Sequence, residues 1–154
     1  MNDLYLIIDS ICQRLSKTFP NHNIYINNIP QGFNRPSLYV SLIDFNDTDL
    51  TKEQLRREAM FNITYFAPID ERGNADKLAQ AVSHMTLANT FANKYLELAN
   101  DYKYADIISI NGSTTDLDVN LRLLLRYEWV QDNSFKPEEA YDLMRELQIK
   151  YIIN

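Results

Sequence analysis

Glycine is scarce in this sequence: there are three in 154 residues, Gly32, Gly73 and Gly112, each standing alone in a turn-like stretch. A loop that cradles phosphate needs several exposed backbone amides in succession, so no nucleotide-binding loop of a known type is predicted. Cysteine is scarcer still. Cys12 is the only one, which excludes an internal disulfide, and it sits in an apolar stretch with no adjacent histidine to lower its thiol pKa. The two histidines, His22 and His84, have no second histidine or cysteine at ligand spacing, so no metal site is expected. The run Asp44 to Asp49 falls short of a calcium loop, because its sixth position is Asp49 where glycine is needed and its twelfth is Leu55 where glutamate is needed. No Gly-x-Ser-x-Gly elbow and no convergent acid, base and nucleophile are visible. The chain is not expected to be an enzyme or to carry a cofactor.

Basic residues are also in deficit. Fifteen Lys and Arg against twenty-one Asp and Glu give a formal net charge of −6. That balance argues against a broad nucleic-acid or anionic-membrane surface, since both require clustered positive charge, and leaves room only for local patches. Uninterrupted apolar runs are missing as well: Asp9, Gln13 and Arg14 break the N-terminal MNDLYLIIDSICQRL, so neither an export signal nor a membrane span is predicted. Three matches to the N-glycosylation pattern, at Asn46, Asn62 and Asn111, therefore carry no consequence.

What the sequence does have is 45% hydrophobic residues without a Pro/Gly-rich linker, enough for one core. Its centrepiece is LDVNLRLLLRYEWV, residues Leu117 to Val130. Leu117, Val119, Leu121, Leu123, Leu125, Tyr127 and Trp129 alternate with a face dominated by Asp118, Asn120, Arg122, Arg126 and Glu128, the period of a half-buried strand. At about 3.3 Å per residue it would run roughly 45 Å, the rib of a sheet.

Around that rib the remaining elements fall into the order α-β-β-β-α-β-β-α. Leu4, Ile7, Ile8, Ile11 and Leu15 recur at helical spacing from Asp3 to Thr18, and Phe19-Pro20 ends that helix. Asn23 to Ile29 is β-rich. Ser37 to Phe45 and Ala59 to Tyr65 read as a hairpin with a protruding, charged tip. The longest helix is expected from Ala75 to Ala99, capped by Asn74, with Leu78, Val82, Met85, Ala88, Ala92, Tyr95 and Ala99 as one stripe, widened by Leu87, Phe91 and Leu98, that covers the sheet. Tyr102 to Ile110 and the long strand form a second hairpin through residues 111–115. Pro137-Glu138-Glu139 starts a terminal helix, since proline suits the first position and acids suit the dipole. The expected fold class is therefore α+β: a mostly antiparallel twisted sheet of about four to five strands, packed by an N-terminal, a long central and a C-terminal helix. Residues 1–132 form the domain, and 133–154 form a helical extension that packs on its own domain or on a neighbouring subunit.

Residues on the polar face admit three readings: Arg122 and Arg126 could bind an anion, form cross-strand charge pairs on a solvated face, or contact another subunit.

Several strings resemble one family when taken in order. Thr18-Phe19-Pro20, Ile24-Tyr25, Gly32-Phe33-Asn34-Arg35-Pro36-Ser37 running into Leu38-Tyr39-Val40, Arg57-Glu58 before Phe61-Asn62-Ile63-Thr64-Tyr65-Phe66, Ala75-Asp76-Lys77-Leu78 and Leu125-Arg126-Tyr127 are similar to the phage tail terminator family of Gram-positive phages and defective prophages. The resemblance covers about residues 1 to 130. It implies a structural virion protein without catalytic residues, assembled in the bacterial host cytoplasm as a homo-oligomeric, hexameric ring on the end of the tail tube. Such a ring stops tube growth and offers a docking surface to head and neck connector proteins. Its partners would be further copies of itself, the tail tube protein and the sheath of a contractile tail, with genome DNA passing through the lumen without sequence-specific binding.

A ring subunit needs two unlike surfaces that meet head to tail. The charged hairpin (Asp47, Asp49, Lys52, Arg56, Arg57), the polar face of the rib (Arg122, Arg126) and the terminal helix (Tyr141, Met144, Leu147) are the candidates. The alternatives are a head–tail connector or neck protein and, in a different class, a small ferredoxin-like module that binds a ligand or a protein.

Overall fold

The computed structural model describes residues 3–98, 103–130 and 136–153. In chain order they form α1 (Asp3–Thr18), β1 (Asn23–Ile26), β2 (Ser37–Asp49), β3 (Gln54–Phe66), α2 (Lys77–Thr90), β4 (Tyr95–Leu98), β5 (Lys103–Thr114), β6 (Asp118–Val130) and α3 (Pro137–Lys150). The strands make one six-stranded sheet in the order β1-β2-β3-β6-β5-β4. It is α+β as expected, but with six strands rather than four to five, and it is mixed because β1 lies parallel to β2.

The period-2 pattern of β6 sets the core. Val119, Leu121, Leu123, Leu125 and Tyr127 are buried, and each stands opposite an apolar or long side chain of β3: Val119 beside Tyr65, Leu121 beside Ile63, Leu123 beside Phe61, Leu125 beside Ala59 and Tyr127 beside Arg57. Leu38 and Val40 of β2 continue the same rows. Onto this face pack Ile7, Ile8, Ile11 and Leu15 of α1, Leu87 of α2 and Leu147 of α3, in one hydrophobic cluster. The opposite face carries Asn62, Thr64, Asn120 and Arg122. There Thr64 Oγ1 donates to Asn120 Oδ1 at 2.8 Å, and Asn62 Nδ2 donates to Thr64 Oγ1 at 3.0 Å.

Two expectations for the central helix fail. The helix stops at Thr90 instead of Ala99, where Asn89, Thr90, Phe91 and Asn93 are weak helix formers and the fully buried Phe91 is drawn into the core. Beyond it Leu96 and Leu98 are buried and Tyr95 and Glu97 exposed, the alternation of an edge strand, held by Ile107 N–H to Lys94 O (2.8 Å) and Arg14 Nη2 to Tyr95 O (2.8 Å). Ala99 lies outside the described residues.

The second failure is one of direction. Leu78, Val82 and Met85, expected to cover the sheet, are 75, 55 and 68% exposed, while Gln80 and Ser83 face inward. Gln80 Nε2 donates to Thr115 O (3.2 Å) and Asp116 O (3.4 Å), and His84 lies over Gly112, where any Cβ would run into its Nε2. Polar anchoring and a missing side chain thus decide which side of α2 meets the sheet. Its cap is Asp76, whose Oδ1 accepts from Leu78 N and Ala79 N at 3.1 Å each, and not Asn74.

Candidate assembly surfaces

The outer halves of β2 and β3, with the end of β6 beside them, form an arm. Residues 43–49 are all exposed. The turn is tied by Thr51 Oγ1, which accepts from Gln54 N at 3.0 Å, and by Leu50 N–H to Gln54 O at 3.0 Å. A β-bulge between Leu42 and Asp44 shifts the register by one residue, so that Phe45 and Asp47 share a face with Ala59, Arg57 and Tyr127.

On that face Arg57 is the centre. Its Nε donates to Asp47 Oδ1 at 2.6 Å and its Nη2 to Asp47 Oδ2 at 2.8 Å, and its guanidinium lies 5.1 Å from the Phe45 ring centroid and 4.6 Å from that of Trp129. The hydrogen bonds from Arg57 hold the Asp47 carboxyl below its usual range, and the same contact pushes the Arg57 guanidinium up. The other face of the arm carries cross-strand pairs: Arg56 with Glu128 at 3.1 Å, and Arg126 with Glu58 at 2.8 Å. For these two arginines and Arg57, cross-strand pairing is what the geometry shows.

The remaining candidates scatter. Asp49 and Lys52 sit exposed at the tip of the arm. Arg122 is exposed on the helix-free face, opposite Asn62 and Asn111. On α3, Tyr141 is 65% exposed, Met144 packs half-buried against the core, and Leu147 is fully buried within the chain's own core. Below Leu147, Lys150 Nζ meets Asp9 Oδ1 at 3.0 Å, Tyr151 Oη donates to the same carboxylate, and Gln13 Nε2 donates to Asp9 Oδ2 at 3.2 Å. Desolvation of the ring and the Asp9 contact push the Tyr151 phenol up, so it remains a donor. α3 is thus fastened to α1, and the boundary placed after residue 132 lies outside the described residues.

Sequence reasoning missed the exposed apolar positions. Besides the α2 stripe they include Ile43, Phe45 and Leu50 on the arm. One signal was available: no Asp, Glu, Lys or Arg occurs anywhere in residues 78–93. A helix with a solvated outer face ordinarily carries charge there, and charge depletion marks the centre of interfaces.

Among the described residues, no three His, Cys, Asp or Glu side chains converge as a metal ion would require, and no helix is long and apolar enough to cross a membrane. Burial pushes the Cys12 thiol up, which makes it a core residue and not a nucleophile.

No curated protein matches the chain. One solved structure superimposes with a TM-score of 0.50 over 89% of this chain and 99% of its own; at 19% identity it shows a shared fold alone. A family model described as phage tail terminator protein matches residues 6–139, which include most of α1, the whole sheet, α2 and the start of α3. The chain belongs to the phage tail terminator family.

Proposed function

We propose that this protein closes head to tail into a ring, a hexamer, on the last ring of a phage tail tube, where it stops growth and presents a docking surface to head or neck proteins. The family match over residues 6–139 carries the reading. The geometry supports it in one respect: the chain has a projecting arm at one end of the sheet and an uncharged, apolar outer face on α2, two unlike surfaces of the kind that a head-to-tail contact joins. The formal charge of −6 suits a ring through which DNA passes without adhering. In this reading the contacts are further copies of the chain, the tube protein, sheath where the tail is contractile, and the neck, all assembled in the host cytoplasm.

Capture experiments with purified tail tube protein and with purified portal protein test it. Retention by tube protein, with a mass by light scattering that rises to that of a hexamer in its presence, is expected. Retention by portal protein alone assigns the chain to the neck instead.

A further inference from the structure

The outward stripe of α2 is the strongest unexplained feature of the molecule. Leu78, Val82 and Met85 lie at i, i+4 and i+7, one continuous strip along the helix, and the run from 78 to 93 places no charged side chain around them. Other exposed apolar side chains lack this context. Tyr141 and Ile149 of α3 stand among Glu138, Glu139, Asp142, Arg145 and Glu146, and Tyr95 and Tyr104 at the sheet edge pack on each other with centroids 5.2 Å apart.

The other orphan surface is the arm. Phe45 is 52% and Leu50 38% exposed, and the charges beside Phe45 neutralise each other in the Arg57–Asp47 pair. A partner covering Phe45 therefore has no unpaired charge of that pair to desolvate, and α2 beyond Lys77 presents none in return. Charge matching of this kind selects a neutral apolar seat over a charged one. The arm lies at the Val130 end of the sheet, whereas α2 begins beside Asp116 at the opposite end. One copy cannot bring its own arm onto its own stripe, but a neighbour can.

We infer that the Leu78–Val82–Met85 face of α2 is the seat for the β2–β3 arm of a second copy, with Phe45 as the inserted apolar residue. This assignment rests on the ring reading and gives its contact. Each subunit offers one arm and one seat, so the contact repeats until the ring closes, and the two ends use different residues.

The test uses the full chain on polymerised tail tubes. A chain carrying both Val82→Cys and Phe45→Cys is expected to give disulfide-linked oligomers under mild oxidation, whereas either substitution alone stays monomeric; Cys12, buried, does not compete. Cross-linking by Val82→Cys alone overturns the inference in favour of an α2-to-α2 contact. Val82→Glu with Met85→Glu is expected to abolish rings seen by electron microscopy while circular dichroism remains that of the parent. Rings formed by that folded variant at the parent's frequency overturn the seat and leave the ring reading standing. If the parent chain itself forms no ring, the ring reading falls and the seat with it.

Discussion

Arg57 grips Asp47 across the register of β2 and β3 through two parallel hydrogen bonds of 2.6 and 2.8 Å, while its guanidinium lies over the ring of Trp129. The pair stiffens an arm whose residues 43–49 are all exposed. Asp47→Ala is expected to speed amide exchange in residues 43–57 without changing it in Leu121 to Leu125, and to lower global stability by about 1 kcal/mol or less, as for an exposed pair. Hydrogen exchange read by mass spectrometry, with a urea titration, checks both.

The same pair gives the arm a pH response. The Asp47 carboxyl is depressed in the folded chain below its ordinary value of 3.8, so it holds fewer protons folded than unfolded. Its contribution is present above pH 3.8 and disappears as the pH falls through the depressed value. Trp129, the sole tryptophan, reports this directly: its fluorescence should shift during acid titration before global unfolding, and Asp47→Asn should remove that early step.

His22 adds a second, milder dependence. Burial against Phe19 and Tyr65 lowers its pKa below 6.5, so protonation opposes folding. Stability should fall as the pH drops below about 6.5 and level off beneath the folded value. Denaturant midpoints measured between pH 7.5 and 5 should show this slope in the parent and a flatter line in His22→Phe.

Gly112 and His84 share one space. Gly112→Ala places a Cβ on the imidazole and is expected to cost about 1 to 3 kcal/mol, with most of the loss recovered when His84→Ala is added. A double-mutant cycle from urea titrations measures the coupling.

On α3, Leu147→Ala should cost about 2 to 5 kcal/mol, because Leu147 is fully buried. Tyr141→Ala, on the exposed side, should change monomer stability by no more than about 0.5 kcal/mol. The contrast separates the side of α3 that belongs to the core from the side that does not.

The rib was legible because a strand covered on one face writes its burial into every second residue, as Val119 to Tyr127 do. The terminal helix was legible from Pro137 and its acids, which sit at its start as expected. The direction of α2 was not, because periodicity reveals that a helix has an apolar side but not what that side meets. Leu78, Val82 and Met85 read as core and are surface, while the anchors that turn the helix, Gln80 to the Thr115 carbonyl and His84 over Gly112, join residues about thirty apart and have no local signature. The break after Thr90 was hidden in the same way: Leu98 continues the helical spacing of Leu87 and Phe91 but also alternates with Leu96 as in a strand, and pairing with β5 decides between them. The charged positions Asp47, Arg56, Arg57 and Arg126 were visible individually, but the Asp47–Arg57 pair depended on a register shifted by the bulge at Leu42 and Asp44, and the Arg56–Glu128 and Arg126–Glu58 pairs on the register of β3 with β6, strands far apart in the chain.

Whether the protein caps a tail tube is decided by electron microscopy of tubes polymerised with and without it. Capping predicts a ring at one end of each tube and a narrow length distribution. Bare ends and tubes as long and as varied as those grown without the protein would contradict it.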